Sequence, residues 1–408
     1  MSSPFSSSGH KRCRVILSKI EDTITLKDMN DTIIHLALVD DWELSGSGSG
    51  HPDELQFRPM RKLSKIYNSY GIRASFNAEV MQQLAFRDFQ TQHPHLMSLA
   101  DEWDETIQET FRQGHDIQLH THPQWSSSEY QEGKWVLKGD WSIVNYSLDE
   151  ARQMLSRGKE YLENLLRPLN SNYRCISYRA GSWCIAPSPF MLNLLADLGI
   201  VFDISIIGKL KYDTRRLKLD YSNCEEDFVP FYPVMTDARR VSDRVERIIC
   251  VPTNHFYGSR RLTLKHHVAK AAARLNRVQS GRPTATKVQT SASYGSDWAD
   301  TKHDSSLRRI YEKGVVPYIK GKHLISDLAQ LDYPLMREML SSIRRRARAT
   351  GIANIPVVLG LHTKDIRIFD DVERFVADIS TAPDIKCVTL TEVAQGLQKG
   401  TFPIKTKS

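Results

Sequence analysis

Short apolar runs alternate with longer stretches in which apolar residues recur every three or four positions, and the alternation repeats along most of the chain. Residues 32–39 are a run rich in Ile, Leu and Val, the pattern of a buried parallel strand. It stops at Asp40-Asp41-Trp42, and the Ser/Gly stretch 45–50 reads as a loop. Residues 53–70 carry Leu55, Met60, Leu63, Ile66 and Tyr67 at helical spacing, with Gly71 as the stop signal. A second strand is expected over 72–76 and a helix over 96–112, ending at Gly114. Residues 116–122 read as a strand, and Ser147-x-x-Glu150 is a capping box opening a helix that reaches 166. Strands follow at 175–179, 200–204, 355–361 and 385–390, and helices at 187–198, 327–348, 370–379 and 391–398.

Strand and helix in regular alternation predict a parallel α/β fold, a (β/α) barrel. One stretch breaks the rhythm. Residues 258–321 are basic, rich in Ser, Thr and Gly and weakly periodic, and are expected to be an insertion. Residues 1–30 read as a leader, 31–400 as the barrel with its insertion and 401–408 as a tail.

Composition adds little until charge is considered. With 40% hydrophobic and 25% charged residues in 408, the chain has the balance of a globular protein. It has no run of apolar residues long enough for a membrane span. Met1 to His10 is Ser-rich without an apolar core, so no export signal is expected there. The six cysteines form no Cys-x-x-Cys pair, so reduced thiols are expected rather than a cysteine zinc site. The net charge of +7 is uneven, with Lys and Arg gathered between Arg260 and Lys287 and again at Arg344, Arg345, Arg346 and Arg348. A solvated helix face accounts for such clusters. The functional alternative is attraction to an anionic membrane surface or a phosphate-bearing substrate. No nucleic-acid module is recognisable, and no nucleic-acid partner is expected.

The candidate chemistry is positional. Strands end at Asp40 and Asp41, at His120 and His122, at Arg179, at Asp203 and at His362. Singly, each has an ordinary explanation as a helix cap or a satisfied core residue. In a parallel barrel, however, all strand C-termini open on one face, where the active site lies. His120 and His122 are two apart on a strand and point to one side. With Asp41 they make two imidazoles and a carboxylate, a set that suits Zn²⁺ with positions left open for water and substrate.

These segments resemble the motifs of the polysaccharide deacetylases, carbohydrate esterase family 4. Val39-Asp40-Asp41 is similar to that family's Asp-Asp motif, and Gly114 to Pro123 (GHDIQLHTHP) to its second motif. Tyr178-Arg179-Ala180-Gly181, Asp203-Ile204-Ser205 and Leu359-Gly360-Leu361-His362-Thr363 resemble the third, fourth and fifth, in the family's order. The resemblance implies a distorted (β/α) barrel and hydrolysis of an N-acetyl or other acyl group on an amino sugar, glycan, glycolipid or nucleotide-sugar precursor. It implies a divalent metal, Zn²⁺ above all, held by Asp41 and His120; where the family's second histidine is replaced by Gln124, either His122 is the substitute ligand or the metal is held through fewer protein groups. Asp40 would be the general base, Arg179 its partner, His362 the general acid and Asp203 the residue orienting it. Backbone N–H groups after Arg179 or near Asp40 could face the developing oxyanion. Trp42 stands where a Gly often follows the Asp pair, and Ala180-Gly181 where many members have Pro-Pro, which points to a divergent branch.

Trp42, Trp125, Trp183 and Tyr178 lie in or beside the motif segments and are expected to stack on sugar faces. The competing readings are a catalytically silent carbohydrate-binding protein on the same fold, a hydrolase of a non-sugar amide, and a basic interaction protein acting through 258–348. The expected location is cytoplasmic, peripheral to the membrane if the basic region binds it.

Overall fold

The computed structural model describes residues 32–214, 216–266, 268, 322–366 and 368–407. The expected leader and residues 269–321 of the expected insertion lie outside the described residues. Eight strands form one sheet. They are β1 (Ile33–Trp42), β2 (Ser75–Glu79), β3 (Asp116–Thr121), β4 (Ser177–Ala180), β5 (Phe202–Asp203), β6 (Ile249–Cys250), β7 (Asn354–His362) and β8 (Ile385–Cys387). Their order is β6-β5-β4-β3-β2-β1-β7, with β8 on the lower half of β1, and every pairing is parallel.

The two ends of this path meet. Thr253, just past β6, makes a parallel bridge to Val358 of β7, and the Asn254 N–H donates to the Val358 carbonyl at 2.8 Å. Above it, residues 326–328 fill the gap: Ser326 N–H donates to Asn254 O (3.1 Å) and Gly360 N–H to Ser326 O (2.8 Å). The sheet is therefore a closed, irregular (β/α) barrel.

Alternation along each strand sorts the chain into two layers. On β1, Ala37 and Val39 face inward and join Phe202, Ile204, Ile249, Val251 and Val358 in a small inner cluster. Leu36, Leu38 and Trp42 belong to the larger core between the sheet and its surrounding helices. Those helices are α1 (Arg58–Ser69), α2 (Val80–Phe89), α3 (Pro94–Arg112), α4 (Leu148–Leu166), α5 (Met191–Asp197), α6 (Tyr333–Thr350), α7 (Phe369–Ser380) and α8 (Leu390–Gln398). The Ser147/Glu150 capping box forms at the start of α4, with Glu150 N–H on Ser147 Oγ at 3.3 Å and Ser147 N–H on Glu150 Oε2 at 2.9 Å. Gly351 ends α6 at φ 68°, the left-handed conformation that glycine adopts without strain. Helix α8 closes the floor of the barrel, where Leu390 and Val393 join the inner cluster and Thr391 is bonded to Asp116 at the start of β3.

Several boundaries differ from those expected. The second strand lies at Ser75–Glu79 rather than 72–76, because its inward residues Asn77 and Glu79 are buried and polar and break the apolar signal. Helix α2 was concealed likewise by buried Gln82 and Gln83. Helix α6 starts at Tyr333, capped by Asp332, because 326–328 are extended against β7. The C-terminal residues are docked: Phe402 is buried beside α8, and Lys405 N–H donates to Pro230 O at 2.8 Å. The five described cysteines are free. Of the second arginine cluster, Arg344 pairs with Asp384 (2.6 Å) and Arg346 with Asp227, so part of that charge is used within the fold. No helix among the described residues is long and apolar enough to cross a membrane.

Candidate active site

Register brings the polar strand ends to one level. Asp41 lies beside His362 of β7 and Asn77 of β2, and His120 beside Glu79 of β2 and Arg179 of β4. Strand β1 does not stop at the Asp pair but runs through Trp42, so the two carboxylates point to opposite faces.

Asp41 points inward. Its Oδ1 accepts from Arg179 Nη1 (2.8 Å) and Asn77 Nδ2 (2.9 Å), and its Oδ2 lies 3.5 Å from His362 Nε2. Burial would raise its carboxyl, but Arg179, then His120 and His362, hold it below the ordinary carboxylate range. Asp40 points outward. Its carboxylate takes the Thr363 N–H at 2.9 Å and the Thr363 hydroxyl, and burial pushes it up to about 8. The expected Arg179–Asp40 pair is thus not formed; Arg179 pairs with Asp41.

Two residues further on, Glu43 is inward as well. Its Oε2 is 2.9 Å from His120 Nε2 and also contacts His122 Nε2, while Oε1 contacts Lys364 Nζ. Glu43, His120 and His122 are the one group among the described residues whose ligand atoms converge, all within 4.8 Å of one another. The expected ligand Asp41 is not part of it. Burial would raise Glu43, but His122 and Lys364 hold it well below the usual carboxylate range.

The donor set fits a metal. Two imidazole nitrogens and a carboxylate oxygen, all buried, are the ligand types of open zinc sites. His120 Nδ1 lies 2.8 Å from the Arg179 carbonyl, the second contact that directs Nε2 to a metal. His122 Nδ1 lies 2.9 Å from the Gln124 amide nitrogen, which also donates to Gly46 O at 3.2 Å, while the buried Gln124 Oε1 has no partner. Turning that amide trades the Gly46 bond for one from His122 Nδ1–H to Oε1 and frees His122 Nε2 as a ligand. Gln124 therefore stands behind His122 rather than among the ligands.

His362 Nδ1 is 2.8 Å from Asp327 Oδ2, on the segment that closes the barrel. Burial opposes a charged ring, yet Asp327 outweighs it and raises His362 to about 9. The expected orienting residue, Asp203, does not touch His362. Its carboxylate accepts the Ser205 hydroxyl (2.6 Å) and N–H (3.0 Å), and burial raises it to about 6. With a folded pKa above 6.5, His362 contributes stability fully present below pH 6.5 and lost as pH rises through about 9. Asp327→Asn removes the charge that outweighs burial. We expect the alkaline limb of any activity needing protonated His362 to fall by about 1–3 pH units, read from a pH–rate profile.

Of the four expected stacking aromatics, Trp183 alone flanks this chemistry, its ring 5.5 Å from that of His362. Trp42 is fully buried against Phe57 and Trp103, and its Nε1 donates to Gln56 O. Tyr178 is fully buried with its hydroxyl on Thr121, and Trp125 packs on Phe86 and Trp135. Both Trp42 and Tyr178 face the outer core. Trp42→Ala is therefore expected to lower stability by about 3–5 kcal/mol, measured by chemical denaturation, without a specific loss of ligand affinity.

No sequence-family model matches the chain, and no curated protein matches it. By fold it is similar to solved structures. One is a protein from Mycobacterium smegmatis assigned as a polysaccharide deacetylase (13% identity, TM-score 0.46, covering 93% of this chain and 94% of that one). A protein from Pseudomonas aeruginosa PAO1 with the same assignment aligns at 11% identity and TM-score 0.44, over 90% and 92% of the two chains. PuuE allantoinase aligns at 10% identity and TM-score 0.43, over 90% and 91%.

Proposed function

We propose that this chain is a metal-dependent hydrolase on the plan of the polysaccharide deacetylases, removing an acetyl or similar acyl group from an amino sugar or glycoconjugate. One observation carries the reading. Asp41 and His362, each held by a partner of opposite charge, lie 3.5 Å apart beside the Glu43–His120–His122 group. A carboxylate kept ionised by Arg179 and an imidazolium kept protonated by Asp327 are a ready base and acid.

Glu43, His120 and His122 would hold the metal, zinc by their chemistry, which when bound acidifies water and polarises the acyl carbonyl. Asp41 takes the proton of the water whose oxygen adds to the carbonyl carbon. Arg179 and Asn77 fix Asp41 Oδ1, so Oδ2 remains for that transfer. His362 gives its proton to the amide nitrogen as the C–N bond breaks, and the products are a carboxylate and a free amine. Asp327 holds the ring in place and charged. Trp183 beside His362 offers one face for a sugar ring, and the sugar assignment rests on it and on the motif resemblance.

The test is acyl release by the zinc-loaded protein from N-acetylchitooligosaccharides, a UDP-linked N-acetyl sugar and simple N-acetyl amines. Acetate and amine appearing in equal amounts from either sugar support the reading. Release from the simple amides alone moves the substrate to non-sugar amides, and release from none defeats the hydrolase.

A further inference from the structure

Outside the candidate active site, a second pair of histidines meets on the hairpin formed by His255–Gly258 and Lys322–Ile325. Register sets Tyr257 opposite His323 and His255 opposite Ile325, so His255 and His323 are diagonal neighbours on one face. Their rings lie 5.6 Å apart between centroids, tilted by 54°. Two imidazoles on one tetrahedral zinc, with Zn–N about 2.0–2.1 Å, put their centroids about 5 Å apart. His120 and His122 stand at 4.9 Å.

His255 is prepared as a ligand from behind. Its Nε2 lies 2.9 Å from Asp227 Oδ2, and Arg346 holds the other carboxylate oxygen. The bond from His255, with Arg346 beside it, keeps Asp227 below the ordinary carboxylate range, so Nε2 carries the proton and Nδ1 the lone pair. A carboxylate paired with a histidine in this way orients metal-bound imidazoles. The backbone is shaped round the pair: a Cβ on Gly208 would lie 2.6 Å from Asp227 Oδ2 and 2.7 Å from His255 Nε2, so no side chain fits there. His255 is 7% exposed, and its Nδ1 is buried without a hydrogen-bond partner. Buried polar atoms are nearly always satisfied, so this one needs a reason. Across from it His323 is exposed, and partial burial and the nearby His255 hold it below its ordinary value, in the neutral form that ligates.

We propose that His255 Nδ1 and the His323 ring form a second metal site, for a divalent ion that prefers imidazole, zinc above all. Arg346 and Lys209 are the cations that face the pair. Arg346 is bound to Asp227, and Lys209 Nζ donates to Ser222 O at 3.2 Å. Two imidazoles with water completing the shell, near those cations, make a weaker site than the Glu43–His120–His122 group. An ion there ties together the two strands of the hairpin. The second of them runs on into 326–328, the segment that brings Asp327 to His362.

Calorimetry on the full chain tests it. Zinc is titrated into the chelator-stripped protein past the first equivalent. A second, weaker binding event is expected, with no counterpart when magnesium replaces zinc, since magnesium prefers oxygen ligands. His323→Ala, at an exposed position, should leave the first event intact, which also shows that the variant is folded. It should weaken the second by about 100-fold or more, beyond the loss of an outer partner. Glu43→Ala should do the reverse, losing the first event and keeping the second. The proposal is overturned if no zinc event of the wild type is lost in His323→Ala. A wild type whose sole zinc is lost in His323→Ala and kept in Glu43→Ala would support this site and defeat the metal of the hydrolase reading.

Discussion

Asp41→Asn should lower acyl release by about 10²–10⁴-fold while zinc content stays at the wild-type level. Asp41 is the inward carboxylate, held by Arg179 and Asn77 and facing His362 through its free oxygen. The amide keeps the shape and an acceptor but cannot take a proton. Breaking a buried ion pair also costs stability, about 3–5 kcal/mol, so the fold is checked by circular dichroism at the assay temperature. Asp40→Asn is the control. Asp40 sits on the other face, where an amide oxygen can still accept the Thr363 N–H, and kcat should remain within a few-fold. Loss of activity in Asp40→Asn with retention in Asp41→Asn would reverse the assignment.

Glu43→Ala should weaken zinc binding by well over about 100-fold, beyond the 10–100-fold typical of an outer-shell partner. It removes the one carboxylate that meets both imidazoles. Lys364→Met should fall within about 10–100-fold, because Lys364 holds Glu43 Oε1 and leaves Oε2 to the histidines. Competition with a chromogenic chelator orders the three proteins. Tighter zinc binding in Lys364→Met would mean that the lysine competes with the metal instead of orienting its ligand.

Much of the frame was legible from periodicity. Alternating strand and helix, the capping box before α4 and the strand-end histidines all correspond to elements of the barrel. The differences between the expected and the observed placements at the site share one cause. In a strand, a shift of one residue exchanges the faces, and ending β1 at the Asp pair made both carboxylates look like rim residues. Read with period two, 37–43 separates inward Ala37, Val39, Asp41 and Glu43 from outward Leu38, Asp40 and Trp42. Read so, Glu43 falls on the inner face with Asp41, and Trp42 falls in the outer core.

Asp327 was not accessible in this way. Asp327 reaches His362 because 326–328 wedge between Asn254 and β7, a contact between distant segments that local pattern does not record. It also directly follows a weakly periodic stretch. Asp203 and Tyr178 lie in the motif-like segments, yet their side chains are spent on Ser205 and Thr121.

The most direct test is to strip the protein with a chelator and titrate zinc back while following acyl release from N-acetylchitooligosaccharides. The account predicts activity rising in proportion to zinc and levelling at about one equivalent per chain, with no recovery in Glu43→Ala. Activity indifferent to chelation, or a full return in Glu43→Ala, would contradict it.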